Sequence, residues 1–230
     1  MRILTWNSQG DKMSLLKGLV NALQPDVIML QEMGHPDLID SYTDFFEVNF
    51  GTTSRSLEYG GKALAHQSAE NIRCTTGLMV KKCLASKFLR CPRLDYDPSL
   101  GVSYRPPVAA LLQDLNILLV TIHAIADRRC SPEQILNLID KIEKTHKGPW
   151  ILGGDMNQNP NDLARKLADM GISKPAYRDI TVSAPVGLTQ SSGGTLDFFI
   201  HKGLPIGTKV RKYNTTFIGS DHIAVYLDFN

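Results

Sequence analysis

Between Met13 and Leu23 the apolar residues fall at Leu15, Leu16, Leu19, Val20 and Leu23. That spacing marks one face of a helix, and Pro25-Asp26 ends it. On either side the pattern shortens. Arg2–Trp6 predicts a strand, and Asp26–Leu30 predicts a second one, apolar throughout and therefore buried on both faces. The chain thus opens strand–helix–strand. Phe45–Phe50 reads as a strand and Gly51–Gly61 as a loop, while residues 62–70 fit neither period. Thr75–Val80 and Leu84–Leu89 are expected to pair as a hairpin around Lys81-Lys82. Arg90–Ser103 is a proline-containing loop. Val108–Leu112 and Ile117–Ile122 follow as strands about the polar turn Gln113–Asn116.

Ser131, Pro132 and Gln134 have the spacing of a capping box. They predict a helix to His146 with Ile135, Leu138, Ile139 and Ile142 on one face, stopped by Gly148-Pro149. Trp150–Leu152 is a buried strand. Asp162–Met170 is a helix ended by Gly171, and Leu196–Ile200 is a strand. Ile223–Phe229 alternates apolar with less apolar positions, as a half-exposed last strand does. Roughly ten strands and three helices, several strands hairpin-connected, predict two mixed sheets packed together with helices outside rather than a doubly wound parallel fold. No repeat or linker divides the 230 residues, so residues 1–230 are expected to form one domain.

Charge changes this picture little. Lys plus Arg is 25 and Asp plus Glu is 23, a net charge of +2, which argues neither for nor against a polyanionic partner. Basic residues do gather in the middle third, among them Arg55, Arg73, Lys81, Lys82, Arg90 and Arg105. They could track phosphates or form an ordinary solvated surface. Cys74, Cys83, Cys91 and Cys130 include no C-x-x-C pair, which argues against a structural zinc site and leaves free thiols and bridges both open. No apolar run is long enough for a transmembrane segment, and no signal peptide is visible ahead of the first strand. A protein made without a signal and one already trimmed both fit.

Polar residues recur just past the buried strands, where a charge needs a partner or a metal. Asn7 and Gln9 follow the first strand, and Glu32 follows the second. His123 ends the run Ile117–Ile122. Gly153-Gly154-Asp155-Met156-Asn157 follows Trp150–Leu152, with two glycines that permit a close backbone approach. Asp197 begins one late strand, and Ser220-Asp221-His222 enters the last. Each has a plain structural reading: an Asn turn, a surface Glu, a hydrogen-bonded His, an Asx-rich turn or a surface Asp-His pair. Together they place four carboxylates, two histidines and the amides of Asn7 and Asn157 at the ends of different core strands. Such an oxygen-rich set suits Mg²⁺, and Asp197 could orient His222 as an Asp orients any His base.

In this order, Thr5-Trp6-Asn7, Gln31-Glu32, Thr121-Ile122-His123-Ala124, Gly154-Asp155-Met156-Asn157, Leu196-Asp197 and Ser220-Asp221-His222 resemble the motifs of the endonuclease/exonuclease/phosphatase superfamily, the deoxyribonuclease I-like fold. Trp6–Gly10, Asn49–Arg55 with its Gly-Thr-Thr-Ser-Arg loop, Tyr104-Arg105-Pro106 and Thr121–Ala126 are further similar to the catalytic subunits of cytolethal distending toxins. Met156 stands where the superfamily has an aromatic residue, Ser8 where the toxins carry Leu, and 57–70 do not follow the toxin pattern.

The resemblance implies a four-layer α/β sandwich and divalent-metal-dependent phosphodiester hydrolysis, with Mg²⁺ or another cation such as Mn²⁺ or Ca²⁺. It implies that Glu32 holds the metal with Asn7 and Asp221 beside it. Asp155 and Asn157 would orient water and phosphate. His222 would act as base with Asp197 behind it, and His123, Arg105, Asn7 and Arg55 would contact substrate. Loss of either His or of Glu32 is then expected to cost orders of magnitude in turnover and little stability. The substrate implied is DNA and the partners are toxin delivery subunits. The location implied is a secreted toxin or intracellular effector acting in a target cell's nucleus. A phosphoinositide phosphatase and a catalytically dead binding protein are the competing readings.

Overall fold

In a computed structural model of the chain, the residues described are 1–10, 12–32, 46–49, 76–81, 84, 88–90, 107–127, 130–213 and 219–229. They form β1 (Arg2–Asn7), α1 (Met13–Leu23), β2 (Val27–Gln31), β3 (Phe46–Asn49), β4 (Thr76–Lys81), β5 (Phe88–Arg90), β6 (Val108–Leu112) and β7 (Ile117–His123). Then come α2 (Ser131–Thr145), β8 (Trp150–Asp155), α3 (Pro160–Ser173), β9 (Ile180–Ser183), β10 (Asp197–Lys202), β11 (Lys209–Lys212) and β12 (Val225–Asp228). Two six-stranded sheets result, ordered β11-β12-β1-β2-β4-β3 and β5-β6-β7-β8-β10-β9. Each is mixed: β1–β2 and β7–β8 are parallel, and their neighbours pair antiparallel.

The period of two along each strand separates three apolar layers. Ile3, Val27, Met29, Leu119, Ile151, Phe199, Val225 and Leu227 pack between the sheets. Their alternates Leu4, Trp6, Ile28 and Leu30 face α1 on the outside of the first sheet. On the far side, Leu118, Val120, Ile122, Leu152, Phe198 and Ile200 pack with Ile135, Leu138, Ile139 and Ile142 of α2 and Leu163 and Leu167 of α3. The order helix–sheet–sheet–helix is the expected four-layer sandwich.

Four local expectations are corrected. β4 does not form a hairpin with the segment after Lys82. Both its edges are occupied, by β2 and β3, while β5 pairs with β6 in the other sheet. The capping box does not form, because its side chains are used for tertiary contacts. Ser131 is already helical; its hydroxyl donates to the Met156 carbonyl, and Gln134 Oε1 accepts from the Ile125 N–H. α3 runs past Gly171 to Ser173. Finally, β9 and β11 were not expected. They are edge strands, and Lys209–Lys212 has one apolar residue in four, which carries no alternation to read.

The two glycines at the end of β8 serve the core rather than a ligand. A Cβ on Gly153 would lie 2.6 Å from the Phe199 ring, and one on Gly154, at φ +155°, would lie 1.9 Å from the Ile122 carbonyl oxygen. Of the cysteines only Cys130 is described, as a reduced thiol 3.7 Å from Asp127 Oδ2. Among the described residues no helix is long and apolar enough to cross a membrane.

Candidate active site

The inward columns of the central strands all change character at the same end. Ile3 gives way to Thr5 and Asn7 along β1, Val27 and Met29 to Gln31 along β2, Leu119 to Thr121 and His123 along β7, and Ile151 to Asp155 along β8. Register does the rest. His123 stands opposite Asp155 on the parallel neighbour, and Asp197 stands opposite Asp155 on the antiparallel one, so three sites chain together in one row. Asn7 is opposite Gln31 in the facing sheet, one residue short of Glu32.

Contacts across this end are polar and largely buried. Asn7 Nδ2 donates to Asp155 Oδ2 at 3.1 Å and to Glu32 Oε1 at 3.3 Å. Its Oδ1 accepts from the Gln9 N–H, which fixes which way the amide points. His123 Nε2 lies 3.5 Å from Asp155 Oδ2 and 3.7 Å from Glu32 Oε1. On the other flank His222 Nδ1 meets Asp197 Oδ2 at 2.8 Å, while its Nε2 is 3.7 Å from Asp155 Oδ2 and 3.6 Å from Asp221 Oδ1. Asn157, in the left-handed region at φ +48°, gives its N–H to Asp155 Oδ1 and its side-chain amide to the Ala124 carbonyl.

Electrostatics follow from burial. Burial disfavours the charged form of Asp155, and the charge on Asp197 adds to that, so its carboxyl is pushed up to about 7 despite His222 and the Asn7 amide. Burial also opposes the charged form of His222. Here the attraction and hydrogen bond of Asp197, with Asp155 and Asp221, outweigh it and push the imidazole up to about 9.

A divalent cation fits this donor set. Asp155, Asp197 and His222 each offer an atom within 4.8 Å of the others. Asp197 and His222 are spent on each other at 2.8 Å, which leaves Asp155, with Glu32 bordering it through Asn7 and His123 and Asp221 on the far side, as the oxygens open to a cation. Asp197 Oδ1 and Asp221 Oδ1 are buried with no hydrogen-bond partner among the described residues, Asp221 Oδ1 having only the His222 ring nitrogen at 3.6 Å, so acceptor capacity is left over that a cation would satisfy.

Sequence reasoning placed Asn7, Glu32, His123, Asp155, Asn157, Asp197, Asp221 and His222 at one locus, and the structure brings them together there. Arg55 and Arg105 lie outside the described residues. Asn7 differs from expectation in one respect: it presents its N–H to the carboxylates, its oxygen being taken by Gln9.

Several residues hold the set in place: Gln9, Ser220 and Trp6 lie in the motifs the sequence singled out, without this role, and Thr189 was missed. Gln9 Oε1 accepts the Asp221 N–H, Ser220 Oγ donates to the Asn7 carbonyl, and Trp6 Nε1 donates to the His222 carbonyl. Thr189 is fully buried in a polar loop with no periodicity to reveal it. Its Oγ1 accepts from the N–H groups of Leu196 and Asp197 at 2.9 and 3.0 Å, and its carbonyl accepts from Ile223 N–H at 2.7 Å. It thereby pins Asp197 and the strand after His222 to each other. Thr189→Val keeps the shape and removes the acceptor. It is expected to cost about 1–3 kcal/mol in urea unfolding, whereas Thr189→Ser stays within about 1 kcal/mol of wild type.

These motifs match the model of the "Endonuclease/Exonuclease/phosphatase family" over residues 4–222. The chain belongs to this family. Its members are hydrolases of phosphate esters that use a divalent metal. The fold is shared with the cytolethal distending toxin of Actinobacillus actinomycetemcomitans (TM-score 0.69, 19% identity, 99% of this chain and 97% of that one). It is shared likewise with the cytolethal distending toxin of Haemophilus ducreyi (0.68, 20%, 100% and 98%) and with truncated TDP2 of Caenorhabditis elegans (0.68, 17%, 99% and 96%). No curated protein sequence matches this chain.

Proposed function

We propose that this family member is a divalent-metal-dependent endonuclease that hydrolyses phosphodiesters of DNA. One observation carries the reading: a buried Asp197–His222 pair whose free imidazole nitrogen faces Asp155, across from the Asn7–Glu32–His123 cluster. A phosphodiester anion repels a nucleophilic water, so hydrolysis needs a base for the water and positive charge for the developing oxyanion. His222 Nε2 is the base, and Asp197 holds its Nδ1–H and steadies the imidazolium. Asp155 and Asn157 orient the water and the phosphate. His123 meets a phosphate oxygen and the leaving oxygen. Glu32, with Asp155 and Asp221 beside it, would hold the cation, which supplies charge neutralisation when bound. Arg55 and Arg105 are assigned to the substrate's flanking phosphates.

Likeness to the toxin catalytic subunits over nearly the full length of both chains, together with the Gly-Thr-Thr-Ser-Arg loop, supports a genotoxin delivered by separate subunits and acting on nuclear DNA. Purified protein is expected to convert supercoiled plasmid to nicked circles with Mg²⁺ and to stop on addition of EDTA. Release of phosphate from inositol phospholipid with plasmid left intact would assign the phosphatase activity instead. Nicking that survives the chelator would remove the metal from the reading.

A further inference from the structure

Below the active-site end, the described layer between the two sheets is apolar except around Gln31, with Thr76 beside it on β4. Gln31 Nε2 donates to Thr5 Oγ1 at 3.2 Å and to Thr121 Oγ1 at 3.0 Å, and Thr5 Oγ1 lies 3.4 Å from Gln31 Oε1. All three residues are fully buried. Thr5 and Gln31 belong to the first sheet and Thr121 to the second, so this amide spans the sandwich. Burying three polar side chains between apolar layers is no route to stability: replacing all partners by apolar groups of the same shape is close to neutral or better.

Position gives the triad a different use. Thr5 is two residues before Asn7 on the same inward column, Gln31 is the residue before Glu32, and Thr121 is two before His123. The site above it is itself split between layers. Asn7 and Glu32 come from the first sheet and meet Asp155 and His123 of the second across 3.1–3.7 Å. Interdigitated apolar side chains hold two sheets in contact through shape alone, because dispersion contacts have no direction. A hydrogen-bonded amide fixes spacing and register, because its geometry tolerates only a few tenths of an ångström.

We infer that Gln31, with Thr5 and Thr121, is a positioning residue that locks the inter-sheet register on which the two halves of the active site meet. It touches no substrate and acts through Glu32, Asn7 and His123. The inference rests on the proposed phosphodiesterase site.

Its test is the triple variant Thr5→Val, Gln31→Leu, Thr121→Val, which removes the network without orphaning a further polar group, Thr76 Oγ1 beside it already having no hydrogen-bond partner among the described residues. The expected result is an unfolding midpoint in urea equal to or above wild type, with kcat for metal-dependent hydrolysis of bis(p-nitrophenyl) phosphate and plasmid lowered by about 10–100-fold and KM little changed. A second readout needs no substrate. The ring-nitrogen NMR resonances of His123 are expected to shift in the triple variant while those of the remote His201 stay in place. If wild-type protein fails to nick plasmid, the endonuclease reading falls, and the register lock is still judged on the model diester and the His123 resonances. A stable triple variant with wild-type kcat and unmoved His123 resonances would overturn the inference. So would activity lost only in proportion to the unfolded fraction.

Discussion

His222→Gln protein is expected to hydrolyse phosphodiester about 10²–10⁴-fold more slowly than wild type, the usual worth of a positioned base. Sequence alone suggested that this would cost little stability. The structure argues otherwise, because the substitution strips the buried Asp197 carboxylate of its cationic partner. In the metal-free protein the imidazole is pushed up to about 9, against an ordinary 6.5 in the unfolded chain. A raised histidine stabilises the fold fully below pH 6.5, and that contribution fades as pH rises through about 9. Urea unfolding should therefore show wild type ahead of His222→Gln by about 3 kcal/mol near pH 6, with the gap narrowing by pH 9.5. The same shift keeps His222 protonated at neutral pH, where it cannot accept a proton. Bound Mg²⁺ at the neighbouring carboxylates is expected to draw it back toward neutrality, visible as a lower titration midpoint of the His222 ring on adding the ion. Plasmid nicking at the wild-type rate by His222→Gln protein would end its assignment as the base.

The second large effect runs in opposite directions for stability and activity. Asp155→Asn is expected to stabilise the metal-free protein at pH 8 while removing turnover. Burial and the charge of Asp197 push the Asp155 carboxyl up to about 7 from an ordinary 3.8. Its folded form thus prefers the proton, and stability falls as pH rises from about 4 to 7 and stays low above. That is a cost on the order of 2–4 kcal/mol at pH 8, carried for the sake of a charged group at the site. Removing the charge recovers that stability, the attraction to His222 being already counted in the net shift. The difference between Asp155→Asn and wild type should vanish near pH 4 and grow toward pH 8. A metal-free variant no more stable than wild type at pH 8 would show that the ionised carboxylate is already compensated within the protein.

Much of the fold was legible because the periodicities are clean. Met13–Leu23 is helical over the span its apolar spacing gave, and Val108–Leu112 is a strand over the predicted residues. The failures have specific causes. Ser131 and Gln134 carry a capping pattern, yet a stronger demand claims both side chains, since the buried Met156 carbonyl and the Ile125 N–H need partners. The hairpin failed because two adjacent apolar runs say nothing about which sheet each joins. The site was legible as a set of residue types. Asn7, Glu32, His123, Asp155, Asp197 and His222 announced themselves as polar groups at the ends of apolar strands. Thr189 did not, and the supporting roles of Gln9 and the Gln31 amide did not show, because a hydroxyl or amide that serves a distant partner looks in sequence like any loop or strand polar residue.

By itself, then, the sequence determined which polar residues stand at the ends of the apolar strands and which strands present them, because side-chain type and the period of two are local properties of the chain. Tertiary structure alone decided the register that lines up His123, Asp155 and Asp197, the direction of the Asn7 amide, and the inter-sheet contact at Gln31. It also decided the displaced proton affinities of Asp155 and His222. Those depend on groups far apart in sequence, such as Asn7 and Asp155 at 148 residues, and on burial that exists only once both sheets have closed over the site.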